Sequence, residues 1–167
     1  MKSLLRRVAV PLVAVVVGLL PGVVAVEQAS ALTKLTHSQA TSIFRAAGLT
    51  WSSSGGCSDR YNSTCTSFEQ INDSTAYGVR TLKTASGCAV NITGGTEVGH
   101  ASGTYSHWNG YKVDISKYTC VGNYIHNTFT RIADRGDGAA QWRSGAGNIY
   151  ADEGNHWDIT YYNCGGC

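Results

Sequence analysis

Residues 32–167 are expected to fold as an α+β domain: a small antiparallel sheet with helices packed on one face, stapled by disulfides. Apolar residues recur at helical intervals in three separate stretches. Short alternating stretches, bounded by Gly, Asn and Asp, fall between and after them. Six cysteines lie in a chain small enough to gain from covalent support.

Residues 1–31 stand apart. Lys2, Arg6 and Arg7 form a basic start, an apolar run follows from Val8 to Val26, and Ala29-Ser30-Ala31 is a small-x-small cleavage site. This is the layout of a secretory signal peptide. Pro11, Gly18, Pro21 and Gly22 interrupt the apolar run, which argues against a membrane anchor. The mature chain is therefore expected to be secreted, without membrane attachment, as a single domain large enough to bury a core. The full sequence carries 13 Lys+Arg against 11 Asp+Glu, but Lys2, Arg6, Arg7 and Glu27 belong to the leader. What remains is balanced, so no electrostatic footprint for nucleic acid survives.

The cysteines are Cys57, Cys65, Cys88, Cys120, Cys164 and Cys167, and an even count in an exported domain reads as three disulfides. Cys57 with Cys65 is the favoured pairing, because a short Ser/Asn/Gly-rich loop separates them. Cys164-Gly-Gly-Cys167, at the C-terminal end, is expected to be a structural staple rather than a redox pair.

Taken in order, Thr36 to Gly48 opens with polar capping residues, places Ile43, Phe44 and Ala47 on one face and stops at glycine, which predicts a short helix with His37 solvated at its start. Residues 49–66 have loop composition. Ile71, Ala76, Val79 and Leu82 predict a helix from about Asp73 to Thr84, with Thr66 or Ser67 and Glu69 as capping residues ahead of it. Cys88 to Thr93 alternates as a strand and is broken by Gly94-Gly95. After a polar loop, Gly110 to Lys117 is a second strand with Asp114 on its polar face. Val121, Ile125, Phe129 and Ile132 predict a helix ended by Gly136. Short strands follow around 140–143, 147–151 and 155–162.

Chemistry concentrates in two stretches, TYSHWNGYKVDI (Thr104 to Ile115) and EGNHWD (Glu153 to Asp158). They supply two imidazoles, one ligating carboxylate and one spare carboxylate, the inventory of a hydrolytic metal site with an open position. Asp114 projects from a strand face, and His107 reaches in from the glycine-containing turn before it. Gly154 and Asn155 permit a bend that brings Glu153 and His156 to one site. Trp108 and Trp157, each next to a ligand, either wall the cleft or pack in the core. His100 is a further loop residue placed to line the cleft, and His126 is a surface residue. Asp158 shares a strand face with His156 and either orients the site or forms a surface pair.

His-x-x-Gly-x-x-x-Asp followed by Glu-x-x-His resembles the zinc D-Ala-D-Ala carboxypeptidase and L,D-endopeptidase family, which includes vancomycin-resistance dipeptidases and some phage endolysins. The resemblance covers about Phe68 to Tyr162, in the order helix, CAVNIT strand, loop, SHWNGYKVD, helix and EGNHWDITYY. It implies one zinc ion held by His107, Asp114 and His156, with Glu153 as general base. It also implies a peptidase acting on peptide stems of the bacterial cell wall, and the mature chain is expected to be a monomer. The sequence departs from the family where a TSGYR-like segment carries an arginine; here ITGGTE stands, with Thr96 or Glu97 near that position and Arg80, Arg143 or His100 as possible replacements. That departure keeps two other readings open. One is a non-catalytic binding module on the same fold, with Trp51, Trp108, Trp142 and Trp157 as a platform, and the other is a disulfide-rich inhibitor or toxin.

Overall fold

The structure is a computed structural model that describes residues 32–162. The leader and Cys164 and Cys167, with the expectations attached to them, lie outside the described residues. The elements in chain order are β1 (Lys34–Leu35), α1 (His37–Ala46), β2 (Thr50–Trp51), β3 (Ile71–Asn72), α2 (Asp73–Ser86) and β4 (Asn91–Gly94), followed by β5 (Lys112–Ser116), α3 (Thr119–Thr128), β6 (Thr130–Ile132), β7 (Ala140–Arg143), β8 (Ile149–Asp152) and β9 (His156–Thr160). Seven strands form one sheet in the order β2-β4-β5-β9-β8-β7-β6, antiparallel except for the β2–β4 pair. β1 and β3 form a separate two-stranded ribbon.

Strand alternation divides the two faces of the sheet. Val113 and Ile115 of β5, with Trp157 and Ile159 of β9, are fully buried in a cluster with Phe44 of α1, Val79 of α2 and Val121 and Ile125 of α3. The helices therefore cover that face. Lys112, Asp114 and Ser116, and across from them Thr160, Asp158 and His156, occupy the other face.

Local chemistry explains the helix limits. Thr36 and Gln39 form a reciprocal capping box at the start of α1. Gly87, at φ 65°, ends α2 in the left-handed conformation that costs glycine least. Three expectations need correction. Asn72, not Thr66 or Ser67, stands at the N-terminus of α2, while the Ser67 hydroxyl accepts a bond from the Glu69 N–H in the turn ahead. α3 stops at Thr128, because the Thr-Phe-Thr run favours extended backbone and β6 pairs with β7 through Ile132. His37 is not a solvated side chain: it stacks on Phe68, and its Nδ1 accepts the Phe68 N–H at 3.0 Å.

Two disulfides are formed among the described residues. Cys57–Cys65 closes the loop after β2, as expected, and Cys88–Cys120 ties the segment before β4 to the first turn of α3. No helix among them is long and apolar enough to cross a membrane.

Candidate metal centre

The turn that delivers His107 is clamped from both sides. Gly110 has φ 77°, and its carbonyl accepts bonds from Asn72 N–H at 3.1 Å and Thr75 Oγ1 at 2.7 Å. A Cβ there would lie 2.5 Å from the Gln70 carbonyl oxygen, so backbone conformation and space both call for glycine. The Gly110 N–H closes the turn onto the His107 carbonyl at 2.8 Å. His107 Nδ1 donates to the Gly95 carbonyl at 2.7 Å, which turns Nε2 toward β5 and β9.

Two carboxylates meet that imidazole. Asp114 and Asp158 are directly opposed across β5 and β9, both buried. His107 Nε2 lies 3.3 Å from Asp114 Oδ1 and 3.8 Å from Asp158 Oδ1. These are ion-pair distances without hydrogen-bond alignment, and each Oδ1 is buried with no hydrogen-bond partner. Burial opposes a charge on His107, but the attraction of Asp114 and Asp158 outweighs it and lifts the imidazole pKa to about 9. For Asp158, burial is outweighed by His107 and Lys112, and its carboxyl is held well below the usual range.

The second imidazole arrives from the β8–β9 turn. Gly154, at φ 86°, lets the chain reverse, and the Glu153 N–H bonds the His156 carbonyl at 3.1 Å. His156 Nε2 then lies 3.7 Å from Asp114 Oδ1 and 3.3 Å from Glu153 Oε2. The structure thus brings His100, His107, Asp114, Glu153, His156 and Asp158 to the wall of one cleft of about 540 Å³. Among the described residues, the ligand atoms lying within 4.8 Å of one another belong to His100, His107 and Asp114. The expected set had His156 where this group has His100.

Other placements differ from expectation. Trp157 does not wall the cleft; alternation puts it on the helix face, fully buried, with its ring against Gly122 of α3. That burial also removes it from any surface platform. Trp108 borders a neighbouring cavity of about 280 Å³ shared with His100, and its ring lies under the Arg60 guanidinium at 3.7 Å. Arg80 is exposed beside Tyr77, and Arg143 is exposed on β7. The arginine lining the cleft is Arg135, from the turn after β6. It bonds Asp158 Oδ2 at 2.9 Å, Asp137 and Glu153 Oε1. Lys112 Nζ bonds the same Asp158 oxygen at 2.6 Å. Lys112 was legible from sequence, being two residues from Asp114 on one strand face, whereas no local signal marked Arg135.

The ITGGTE segment has its own role. A Cβ on Gly94 would lie 2.5 Å from Asp114 Oδ2, and one on Gly95 would lie 2.0 Å from the Ser67 carbonyl oxygen. Glycines here let β4 and the Ser67 backbone close around the site. Glu97 is buried and accepts the Ser67 N–H at 2.7 Å and the Gly95 N–H at 3.0 Å. Burial would raise its pKa, but His100 and these amides hold it below the ordinary carboxylate value.

The donor set suits a divalent metal. Imidazole and carboxylate side chains together could hold a divalent transition metal, and an unpartnered buried oxygen such as Asp114 Oδ1 is costly unless a cation or a proton faces it. No family model, curated protein or solved structure matches the chain.

Proposed function

We propose that this chain is an exported zinc-dependent peptidase that hydrolyses amide bonds in peptide stems of bacterial cell wall, at a bond involving a D-amino acid. One observation carries the reading: Asp114 Oδ1, buried and without a hydrogen bond, is faced by Nε2 of both His107 and His156, with Glu153 alongside. His107, Asp114 and His156 would hold the metal. A zinc ion supplies Lewis-acid polarisation of an amide carbonyl and lowers the pKa of water to about 7.

The chain's own residues divide the remaining work. Arg135 fixes Glu153 through Oε1, leaving Oε2 toward His156 and the cleft. From there Glu153 takes the proton of the attacking water and returns it to the departing amine. Lys112 and Arg135 neutralise Asp158, so the strand pair carries one uncompensated carboxylate, Asp114, toward the ligand position. Arg135 is shared among three carboxylates and acts here as a positioning group, so it does not stand in directly for the family arginine. The leader and the disulfides suit an oxidising, extracellular compartment.

A specific feature supports a non-catalytic alternative. Tyr61 and Trp108 are exposed in edge contact, with Arg60 stacked on Trp108 beside the cleft, a surface suited to holding a glycan or peptide. The discriminating experiment measures bound zinc in the mature protein and in His107→Ala, then assays these and Glu153→Ala on D-Ala-D-Ala and on muropeptides. Stoichiometric zinc lost in His107→Ala, with turnover lost in Glu153→Ala, supports the peptidase. Lack of zinc in the wild type ends it, and zinc without any effect of Glu153→Ala supports the binding module.

A further inference from the structure

The structure points to His100 as an additional protein ligand of the metal, oriented by Glu97; we infer this on the reading that a metal binds beside Asp114. Three independent features converge on it.

The first is the hydrogen-bonding direction around the ring. Glu97 is locked by backbone N–H donors from Ser67 and Gly95, so the oxygen it offers His100 Nε2, at 3.2 Å, is an acceptor. Nε2 therefore carries the hydrogen, and Nδ1 turns toward Asp114 Oδ2 at 3.7 Å. In the neutral ring that tautomer leaves the Nδ1 lone pair directed at Asp114 Oδ2, so that an ion placed between them would be held by both. The second feature is that His107 repeats the arrangement. Its Nδ1 hydrogen goes to the Gly95 carbonyl, and Nε2 faces the other oxygen of the same carboxylate. The two rings stack with centroids 3.8 Å apart and planes 14° from parallel. Metal-bound histidines commonly donate their second nitrogen to a carboxylate or a backbone carbonyl, which fixes the tautomer and the ring plane. Here one residue serves both rings, since the Gly95 carbonyl holds His107 and the Gly95 N–H holds Glu97.

The third feature is compactness. The ligand atoms of His100, His107 and Asp114 lie within 4.8 Å of one another, so a single ion reaches all three with small side-chain adjustments. His156 approaches the same carboxylate from β9. Zinc accepts a fifth ligand during catalysis, so a fourth protein group does not by itself bar substrate. The competing explanation is an ordinary ion pair in which His100 bridges Glu97 and Asp114 with no part in metal binding.

X-ray absorption of the zinc-loaded mature protein counts coordinated imidazoles without any mutation. The expected count is three, falling to two in His100→Ala, with the zinc Kd rising more than about 100-fold, beyond the 10- to 100-fold typical of outer-shell changes. His100 is a partly exposed loop residue, and unfolding of the apo forms checks that the variant is folded. An imidazole count unchanged by His100→Ala, or a Kd within about threefold of wild type, overturns the inference and leaves the proposed peptidase standing. Failure of the wild type to bind zinc overturns both.

Discussion

Asp114 and Asp158 face each other across β5 and β9, each with one buried oxygen that accepts no hydrogen bond, and His107 Nε2 sits 3.3 Å from one and 3.8 Å from the other. Like charges directly opposed on adjacent strands destabilise a sheet. The pair is tolerated because its surroundings are unequal. Lys112 and Arg135 bond Asp158, while the groups within ion-pair distance of Asp114 among the described residues are imidazoles. Asp158 is compensated by two fixed cations, whereas in the metal-free protein Asp114 is faced by the protonated His107.

That asymmetry separates the two aspartates by experiment. Asp114→Asn is expected to abolish zinc binding, whereas Asp158→Asn should weaken it by about 10- to 100-fold, as an outer-shell change does. Asp158→Ala, which strips the shared partner from Lys112 and Arg135, should also destabilise the apo protein by about 2 kcal/mol. Calorimetric zinc titration and urea unfolding read the two effects, and equal zinc affinities for the two Asn variants would contradict the assignment.

Stability of the metal-free protein should depend on pH through His107. Its folded pKa of about 9 exceeds the ordinary histidine value of 6.5. The resulting stabilisation, at most about 3 kcal/mol, is fully present below pH 6.5 and is lost as pH rises through 9. Zinc affinity should run the other way, increasing over that interval because the metal displaces the proton. Urea midpoints of apo protein between pH 6 and 10, with His107→Gln as control, measure the first trend; a wild-type profile parallel to that of the variant would refute it.

Two glycines should fail differently. Gly110→Ala meets backbone atoms of residues 70–72 at φ 77°, and should cost about 1–3 kcal/mol of stability. Gly94→Ala meets chiefly the Asp114 side chain, so its larger effect should fall on zinc affinity. Thermal unfolding of the apo forms alongside zinc titration tells them apart.

The two disulfides should contribute unequally. Cys88–Cys120 spans 32 residues and Cys57–Cys65 spans 8. Loop-closure entropy then favours the longer bridge by about 1 kcal/mol at 25 °C. Comparing urea unfolding of the Cys88→Ala/Cys120→Ala and Cys57→Ala/Cys65→Ala pairs checks the order.

Periodicity alone located α1 and α2, the strand bearing Asp114 and the three C-terminal strands, since those segments carry local signals of cap, alternation or glycine stop. It also placed Asp114 on a polar face and identified the bend that joins Glu153 to His156. It failed at the end of α3, where Ile132 fits a helical period but pairs with Gln141 of β7, and at His37, whose partner Phe68 lies far along the chain. The motif stretches named His107, Asp114, Glu153 and His156, all of which line one cleft.

What only the tertiary structure decided is everything that depends on strand order and loop closure. Placing β9 beside β5 set Asp158 against Asp114 and sent Trp157 into the core. Folding the loop after β4 back on Ser67 turned Glu97 and His100 toward the site, and the turn after β6 carried Arg135 into the cleft. A sequence records which groups are available and the local backbone they prefer; which of them share a dielectric environment, and hence which charges need a partner, is fixed only by long-range packing.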